Sequence, residues 1–224
     1  MLKYLLIILL LPFSLSAKTK IKTADIIVSS PNEKYFGDDD VRPSLHKVFA
    51  KELREVEIYL NSFQTIITQF KQSNANGEVN YGKLFISKPG KIRCEYLKPL
   101  SVLIMNDKKI TYHDQELDEV SYASSDINAL KLLAINDIQF KSLNLVEAIK
   151  DEHSLSINIK EYSPELKQNI IVAFKFSYPH VQLKQISVIT EDNEISMVFD
   201  KITYDKILGK QLFYLQRDII RNRK

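Results

Sequence analysis

The spacing of apolar residues changes several times along the chain, and each change marks an element. Between residues 45 and 63, Leu45, Val48, Phe49, Leu53, Val56, Tyr59, Leu60 and Phe63 recur at three- and four-residue steps. That spacing predicts an amphipathic helix of about four turns, capped by Ser44 after Pro43. Lys47, Lys51, Glu52, Glu55 and Glu57 fill the other side. Because this polar side is not notably basic, packing on a sheet explains the apolar stripe better than binding to a membrane surface.

From Thr65 the pattern shortens to strand length. A strand to Gln72 meets the turn-rich Asn74-Ala75-Asn76-Gly77, and Val79 to Ser87 runs back. The stretch from Gly82 to Asp107 then reads as three strands with clear punctuation. Gly82 to Ser87 stops at Lys88-Pro89-Gly90, since proline donates nothing to a central ladder and Pro-Gly favours a turn. Lys91 to Tyr96 alternates strictly, with Ile92, Cys94 and Tyr96 on one face and Lys91, Arg93 and Glu95 on the other. Val102 to Met105 is apolar on both faces, and Asn106-Asp107-Lys108-Lys109 turns the chain into Ile110 to Tyr112. Leu117 to Tyr122 completes this meander.

The middle of the chain interrupts the alternation. Asp126 is placed to cap a short helix carrying Ile127, Leu130, Leu133 and Ala134, and Ser142 to cap a second carrying Leu145, Val146 and Ile149. Alternation then returns in Leu155, Ile157 and Ile159, and in Ile170, Val172, Phe174 and Phe176 after the Ser163-Pro164-Glu165 turn. Leu183 to Thr190 and Glu194 to Tyr204 form a hairpin about Glu191-Asp192-Asn193, with Ile195, Met197 and Phe199 on one face, and Leu212 to Leu215 is placed as a last strand. About ten strands in two meanders with three helices predict an α+β fold on one large antiparallel sheet, because no connection is long enough for a parallel crossover.

Composition narrows the function. With 45% hydrophobic residues among 224, the chain can bury a sizeable core. A net charge of +3 from 31 basic and 28 acidic residues gives no support for binding nucleic acid through its phosphates. Lys3, the apolar run Leu5 to Phe13 and the small residues Ser14-Leu15-Ser16-Ala17 read as a signal peptide over residues 1–17, the alternative being an uncleaved anchor. That run is shorter than the ~20 residues a spanning helix needs. Residues 18–43 read as a polar linker; Ile21 to Val28 has weak strand character, and Asp38 to Asp40 lacks the spacing of a calcium loop. Residues 44–224 form the remaining domain. Cys94 is the single cysteine, so no intramolecular disulfide is available and stability must come from packing.

Candidate catalytic chemistry is sparse. The four histidines, His46, His113, His153 and His180, fall in no metal-ligand spacing, and no nucleophile elbow occurs. His113, Asp114, Glu116, Asp118 and Glu119 form the densest polar cluster, but alternation along a hairpin would send them to different faces. No catalytic residue, metal or cofactor is expected.

Thr68-Gln69-Phe70, Gly82-Lys83-Leu84-Phe85, Lys88-Pro89-Gly90-Lys91-Ile92-Arg93, Pro99, Ile104-Met105-Asn106-Asp107 and Tyr112, following an amphipathic helix that ends near Phe63, together resemble the LolA family of periplasmic outer-membrane lipoprotein carriers. The match is densest over residues 60 to 122. The resemblance implies a strongly curved, unclosed antiparallel half-barrel, with the N-terminal amphipathic helix and short lid helices on its concave face. It implies a monomer that takes acylated lipoproteins from an inner-membrane lipoprotein-releasing ABC transporter and passes them to the outer membrane, where a receptor would accept them. Each acyl methylene removed from water is worth ~0.8 kcal/mol, so such cargo needs an apolar shelter while it crosses an aqueous compartment.

For this chain the expected acyl-chain lining is Phe70, Leu84, Ile86, Ile92, Tyr96, Leu103, Met105, Phe174, Phe176, Met197 and Phe199. An ordinary core position under the helix is the competing reading for each. The expected lid and latch are Lys88, Leu130, Leu133, Leu145, Val146 and Ile149. Lys88 stands where many relatives carry an arginine that bonds lid carbonyls, and lysine lacks the planar fork of that group. Ile92 replaces a large aromatic, and Cys94 stands where relatives tend to have an aromatic. The alternatives to a lipoprotein carrier are a periplasmic binding protein for another lipid or amphiphile, and a structural domain that binds nothing.

Overall fold

The apolar stripe over residues 45 to 63 forms two helices rather than one. The computed structural model describes residues 44–124, 129–163 and 167–215. In it α1 (Leu45–Val48) and α2 (Ala50–Asn61) meet at Phe49, whose φ of −103° and ψ of 23° interrupt the helix. Ser44 precedes α1 without a side-chain cap; its carbonyl accepts the Lys47 N–H at 2.8 Å. Leu53, Val56, Leu60 and Phe63 are buried, whereas Val48 is exposed. The expectations for residues 1–17 and 18–43, for the cap at Asp126 with Ile127, and for the turn at Pro164-Glu165 lie outside the described residues.

Among the described residues, eleven strands build one antiparallel sheet: β1 (Thr65–Asn74), β2 (Val79–Ser87), β3 (Lys91–Tyr96), β4 (Ser101–Asn106), β5 (Lys109–Asp114), β6 (Glu119–Ser124), β7 (Leu145–Lys150), β8 (Ser154–Ser163), β9 (Gln168–Ser177), β10 (Gln182–Ile189) and β11 (Glu194–Tyr204). Their order is β6-β5-β4-β3-β2-β1-β11-β10-β9-β8-β7. The first and last strands pair at the centre, with Phe70 opposite Phe199 and Gln72 opposite Met197. Two meanders thus join along that seam, and β6 and β7 remain as edges, which leaves a strongly curved half-barrel unclosed. Register shifts at Ile67/Gln69, Leu183/Gln185 and Leu145/Glu147 add local bends of the kind that coil an antiparallel sheet.

Alternation sorts the side chains between two apolar clusters. The concave face collects Phe70, Leu84, Ile92, Leu103, Phe174 and Met197, together with α2. On the convex face Phe85, Val102 and Ile104 pack with Phe213 and Leu215. The double-sided apolar pattern of β4 therefore has a use on each side: Leu103 and Met105 face in, Val102 and Ile104 face out.

Three expected elements differ. Residues carrying Leu130, Leu133 and Ala134 form a 3-10 helix, Ala129–Ala134, rather than an α-helix. Leu145, Val146 and Ile149 are not on a lid helix: they lie on β7, where pairing with β8 aligns Leu145 with Ile159 and Ile149 with Ser156. The open edge of β8 offers a whole ladder to a segment too short for a stable helix, and branched Val146 and Ile149 suit that ladder. Ser142 caps nothing there; its hydroxyl donates to the Gln139 carbonyl inside a 3-10 turn, Phe140–Ser142. Leu212 to Leu215 is not a strand, because β11 already has a partner on each side. The segment forms a 3-10 turn, Lys210–Phe213, on the convex face, where the Arg93 guanidinium donates to the Leu212 carbonyl at 3.0 Å.

Candidate functional site

The concave face is apolar from β4 to β8. Every expected lining residue is there and buried: Phe70, Leu84, Ile86, Ile92, Tyr96, Leu103, Met105, Phe174, Phe176, Met197 and Phe199 belong to one cluster. In the middle of β2, Gly82 creates space between two rings. It pairs with Phe70 on one side and Tyr96 on the other. A Cβ at Gly82 would stand 2.4 Å from the Phe70 ring and 2.3 Å from the Glu95 carbonyl. Without it, the Phe70 and Tyr96 rings meet edge to face at 5.3 Å, and the Tyr96 hydroxyl donates to buried Gln72 at 3.0 Å. Cys94 sits on the same face fully buried, and burial pushes its thiol up to about 12.

Two covers close this face. The first is α2, which lays Leu53, Val56 and Leu60 into the cluster. The second is the stretch after β6, where Leu130, Leu133, Ala134, Ile138 and Phe140 turn their side chains inward.

Polar bonds fix α2 to the sheet. Lys88, at the end of the β2–β3 corner, is 8% exposed, and its ammonium donates to the Leu60 carbonyl while lying 4.2 Å from the Phe63 ring centre. The bond falls on the last turn of α2, where carbonyls lack helical partners and a cation is favoured. Burial draws the Lys88 pKa down to about 8, and the charge of Asp205 opposes that shift. Nearby, the Tyr59 hydroxyl shares a 2.9 Å bond with Tyr204 and accepts the Leu183 N–H at 3.1 Å. At the other end of α2, Lys150 of β7 bonds Glu52 at 2.7 Å and lies over the Tyr178 ring. Burial works against ionisation of Glu52, but the Lys150 bond, a backbone hydrogen bond and the charges of Lys150 and Lys51 together outweigh it and hold the carboxyl below its usual value.

The lid is held differently. Its 3-10 helix is tied to the sheet corner by the Gly90 N–H, which donates to the Ala134 carbonyl at 2.9 Å. Gly90 has φ of +68°, a conformation that glycine adopts freely. Farther on, α1 and α2 hold the lid by its backbone. Asn61 donates to the Ile138 carbonyl at 3.0 Å and accepts the Ile138 N–H at 2.8 Å. Glu57 accepts the Phe140 N–H at 2.7 Å, and His46 bonds the Phe140 carbonyl at 3.1 Å. The helical spacing puts Glu57 on the polar side of the stripe, and local pattern assigns no role to Asn61 or His46. The four-residue step from Glu57 to Asn61 was the available signal, since it puts both on one side of α2.

The expected latch residues therefore divide. Lys88 binds the end of α2 and not the lid, Leu130 and Leu133 are in the lid, and Leu145, Val146 and Ile149 are on an edge strand. Among the described residues, no group of three or more His, Cys, Asp and Glu is placed to hold a metal ion.

Residues 61–216 match the family model described as outer membrane lipoprotein carrier protein LolA. The chain belongs to the LolA family. An outer-membrane lipoprotein carrier protein of Chromobacterium violaceum is 27% identical to it over 161 residues, which are 68% of this chain and 77% of that protein. An uncharacterized protein of Rickettsia prowazekii is 25% identical over 162 residues, 72% of this chain and 75% of that one. Among solved structures, a LolA superfamily protein from Nitrosomonas europaea aligns with a TM-score of 0.44 at 6% identity, covering 74% of this chain and 96% of its own. Membership of the LolA family supports lipoprotein sorting or carriage, with lipid binding, as the class of function. In this member of the LolA family the arginine expected before the corner proline is Lys88, and the aromatic expected two residues past Gly90 is buried Ile92.

Proposed function

We propose that this chain is a periplasmic carrier that shelters the acyl chains of lipoproteins against the concave face of its sheet and moves them from the inner to the outer membrane. The observation that carries this reading is the way the face is closed. A continuous apolar surface is covered on one side by a short lid, whose 3-10 helix is tied to the β2–β3 corner through the Gly90 to Ala134 bond. A face of this size left bare in water would be an aggregation site, so a removable cover suits a protein that is at times empty. Acyl chains entering from the lid side would take the places of Leu130, Leu133, Ile138 and Phe140 against Ile92, Met105, Phe174 and Met197. The two inner methionines, Met105 and Met197, are flexible enough to adapt to chains of different shape.

In this reading residues 1–17 direct export, an inner-membrane lipoprotein-releasing ABC transporter loads the carrier as a monomer, and an outer-membrane receptor unloads it. The chemistry is binding and release, with no catalytic step. The test is to incubate the mature chain with the acylated and non-acylated forms of one lipoprotein and separate complexes by size. Acylated lipoprotein is expected to co-elute, and the non-acylated form to elute alone. Failure of both to bind would overturn the proposal. Co-purification of a free lipid or glycolipid in place of lipoprotein would favour a carrier of another amphiphile.

A further inference from the structure

The lid is bound to α1 and α2 as an extended peptide would be. Gln139 is extended, with φ of −133° and ψ of 110°, and the residues on either side of it, Ile138 and Phe140 at the start of the 3-10 turn, are both buried in the concave cluster. Their backbone groups meet side chains, the Phe140 carbonyl accepting the Leu143 N–H at 2.9 Å as well. Asn61 takes both the N–H and the carbonyl of Ile138, and Glu57 with His46 takes both for Phe140. Four hydrogen bonds therefore read the main chain at alternate residues and ignore its sequence.

Glu57 and Asn61 stand on an element with its own ties to the sheet, and would keep their places if the lid left. Lys88 on Leu60, Tyr59 on Tyr204 and Leu183, and Lys150 on Glu52 hold α2 to the sheet independently of residues 129 to 143. An open carrier would then present an amide, a carboxylate and an imidazole with unmet hydrogen-bonding capacity beside an uncovered apolar face. Water would hydrate these groups in the open state, and Glu57 keeps its 3.8 Å pair with Arg54, so a cargo main chain gains the net value of the hydrogen bonds that it restores, which a cargo of acyl chains alone does not.

We propose that Asn61, Glu57 and His46 form a clamp for the extended peptide that follows the acylated residue of the cargo, and that Ile138 to Phe140 is a built-in stand-in for that peptide. The acyl chains replace the Ile138 and Phe140 side chains, and the cargo main chain replaces theirs. This rests on the acyl-carrier reading above and adds a second recognition element that is blind to sequence, as suits a carrier of many cargoes.

Two synthetic ligands separate the parts: a triacylated cysteine, and the same triacylated cysteine extended by a five-residue uncharged peptide. Wild type is expected to bind the extended ligand about tenfold more tightly, the order of effect for two or more side-chain hydrogen bonds. Asn61→Ala should remove most of that preference while binding triacylated cysteine at least as well as wild type, because its lid is loosened. Glu57→Gln, which keeps shape and loses charge, should give a smaller loss in the same direction. Amide exchange at Ile138 and Phe140 should accelerate when the extended ligand binds. Equal affinity of wild type for the two ligands would overturn the clamp and leave the acyl-carrier reading standing, and so would an undiminished preference in both variants. Failure of triacylated cysteine and its extended form to bind wild type would overturn both.

Discussion

The Gly90 N–H donates to the Ala134 carbonyl at 2.9 Å, so the corner between β2 and β3 holds the end of the 3-10 lid. The corner can do so because Gly90 sits at φ +68°, with the carboxylate of Asp107 close beside it. Gly90→Ala places a side chain in the left-handed region and against that carboxylate. The variant should be destabilised by about 1–2 kcal/mol, seen as a lower thermal midpoint. Amide exchange over residues 129 to 134 should rise more than over β8 and β9. Equal protection of the lid would show that this bond does not hold it.

Lys88 gives the fold a dependence on alkaline pH. Its pKa falls from 10.5 in the unfolded chain to about 8 in the folded one, because burial disfavours the ammonium. Between those values the unfolded chain holds the Lys88 proton more often, so the Lys88 contribution to stability rises from about pH 8, while the raised Cys94 thiol, 9.0 unfolded and about 12 folded, contributes a fall above about pH 9, and the rise is read between pH 8 and 9. Below pH 8 the cost of the buried charge is fully present. Lys88→Met removes this slope and also removes the bond to Leu60. Chemical denaturation of wild type and Lys88→Met between pH 7 and 9 checks both, and an identical pH dependence of the two proteins would contradict the assignment.

Much of this architecture is legible in the sequence where the signal is local. Lys91 to Tyr96 alternates without a break, and Pro89-Gly90 and Lys98-Pro99 mark its neighbouring turns, so inner and outer faces follow from period alone. What local pattern misses is decided by partners distant in sequence. Val146 and Ile149 fit a helix of one turn, but β8 supplies a ladder that no local rule sees. Leu212 and Phe213 look like a strand until β11 is found to have both sides occupied. Glu57 and Asn61 look solvated because their partners, the backbone groups of Phe140 and Ile138, lie about eighty residues away and carry no side-chain signature. The family resemblance points to Lys88 as a lid latch, whereas the group it bonds, the Leu60 carbonyl at the end of α2, comes from the packing.

The convex face offers a contrast with the concave one. Phe213 is buried against Phe85, Val102 and Ile104, away from the proposed cargo surface. Phe213→Ala should cost about 3 kcal/mol, typical of removing a buried ring, while leaving affinity for acylated cargo unchanged at a temperature where the variant is folded. Titration with a triacylated peptide checks this. A parallel loss of affinity and stability would tie the convex cluster to cargo binding.

The central claim is that acyl chains lie on the concave face, under the lid. It is tested most directly by photo-crosslinking from a lipoprotein whose acyl chains carry a light-activated group, followed by mapping of the labelled residues. Labels are expected on inner-face residues such as Ile92, Met105, Phe174 and Met197, and should be lost when the acyl chains are removed. Labels confined to the convex residues Phe85, Val102 and Phe213, or no acyl-dependent label at all, would contradict it.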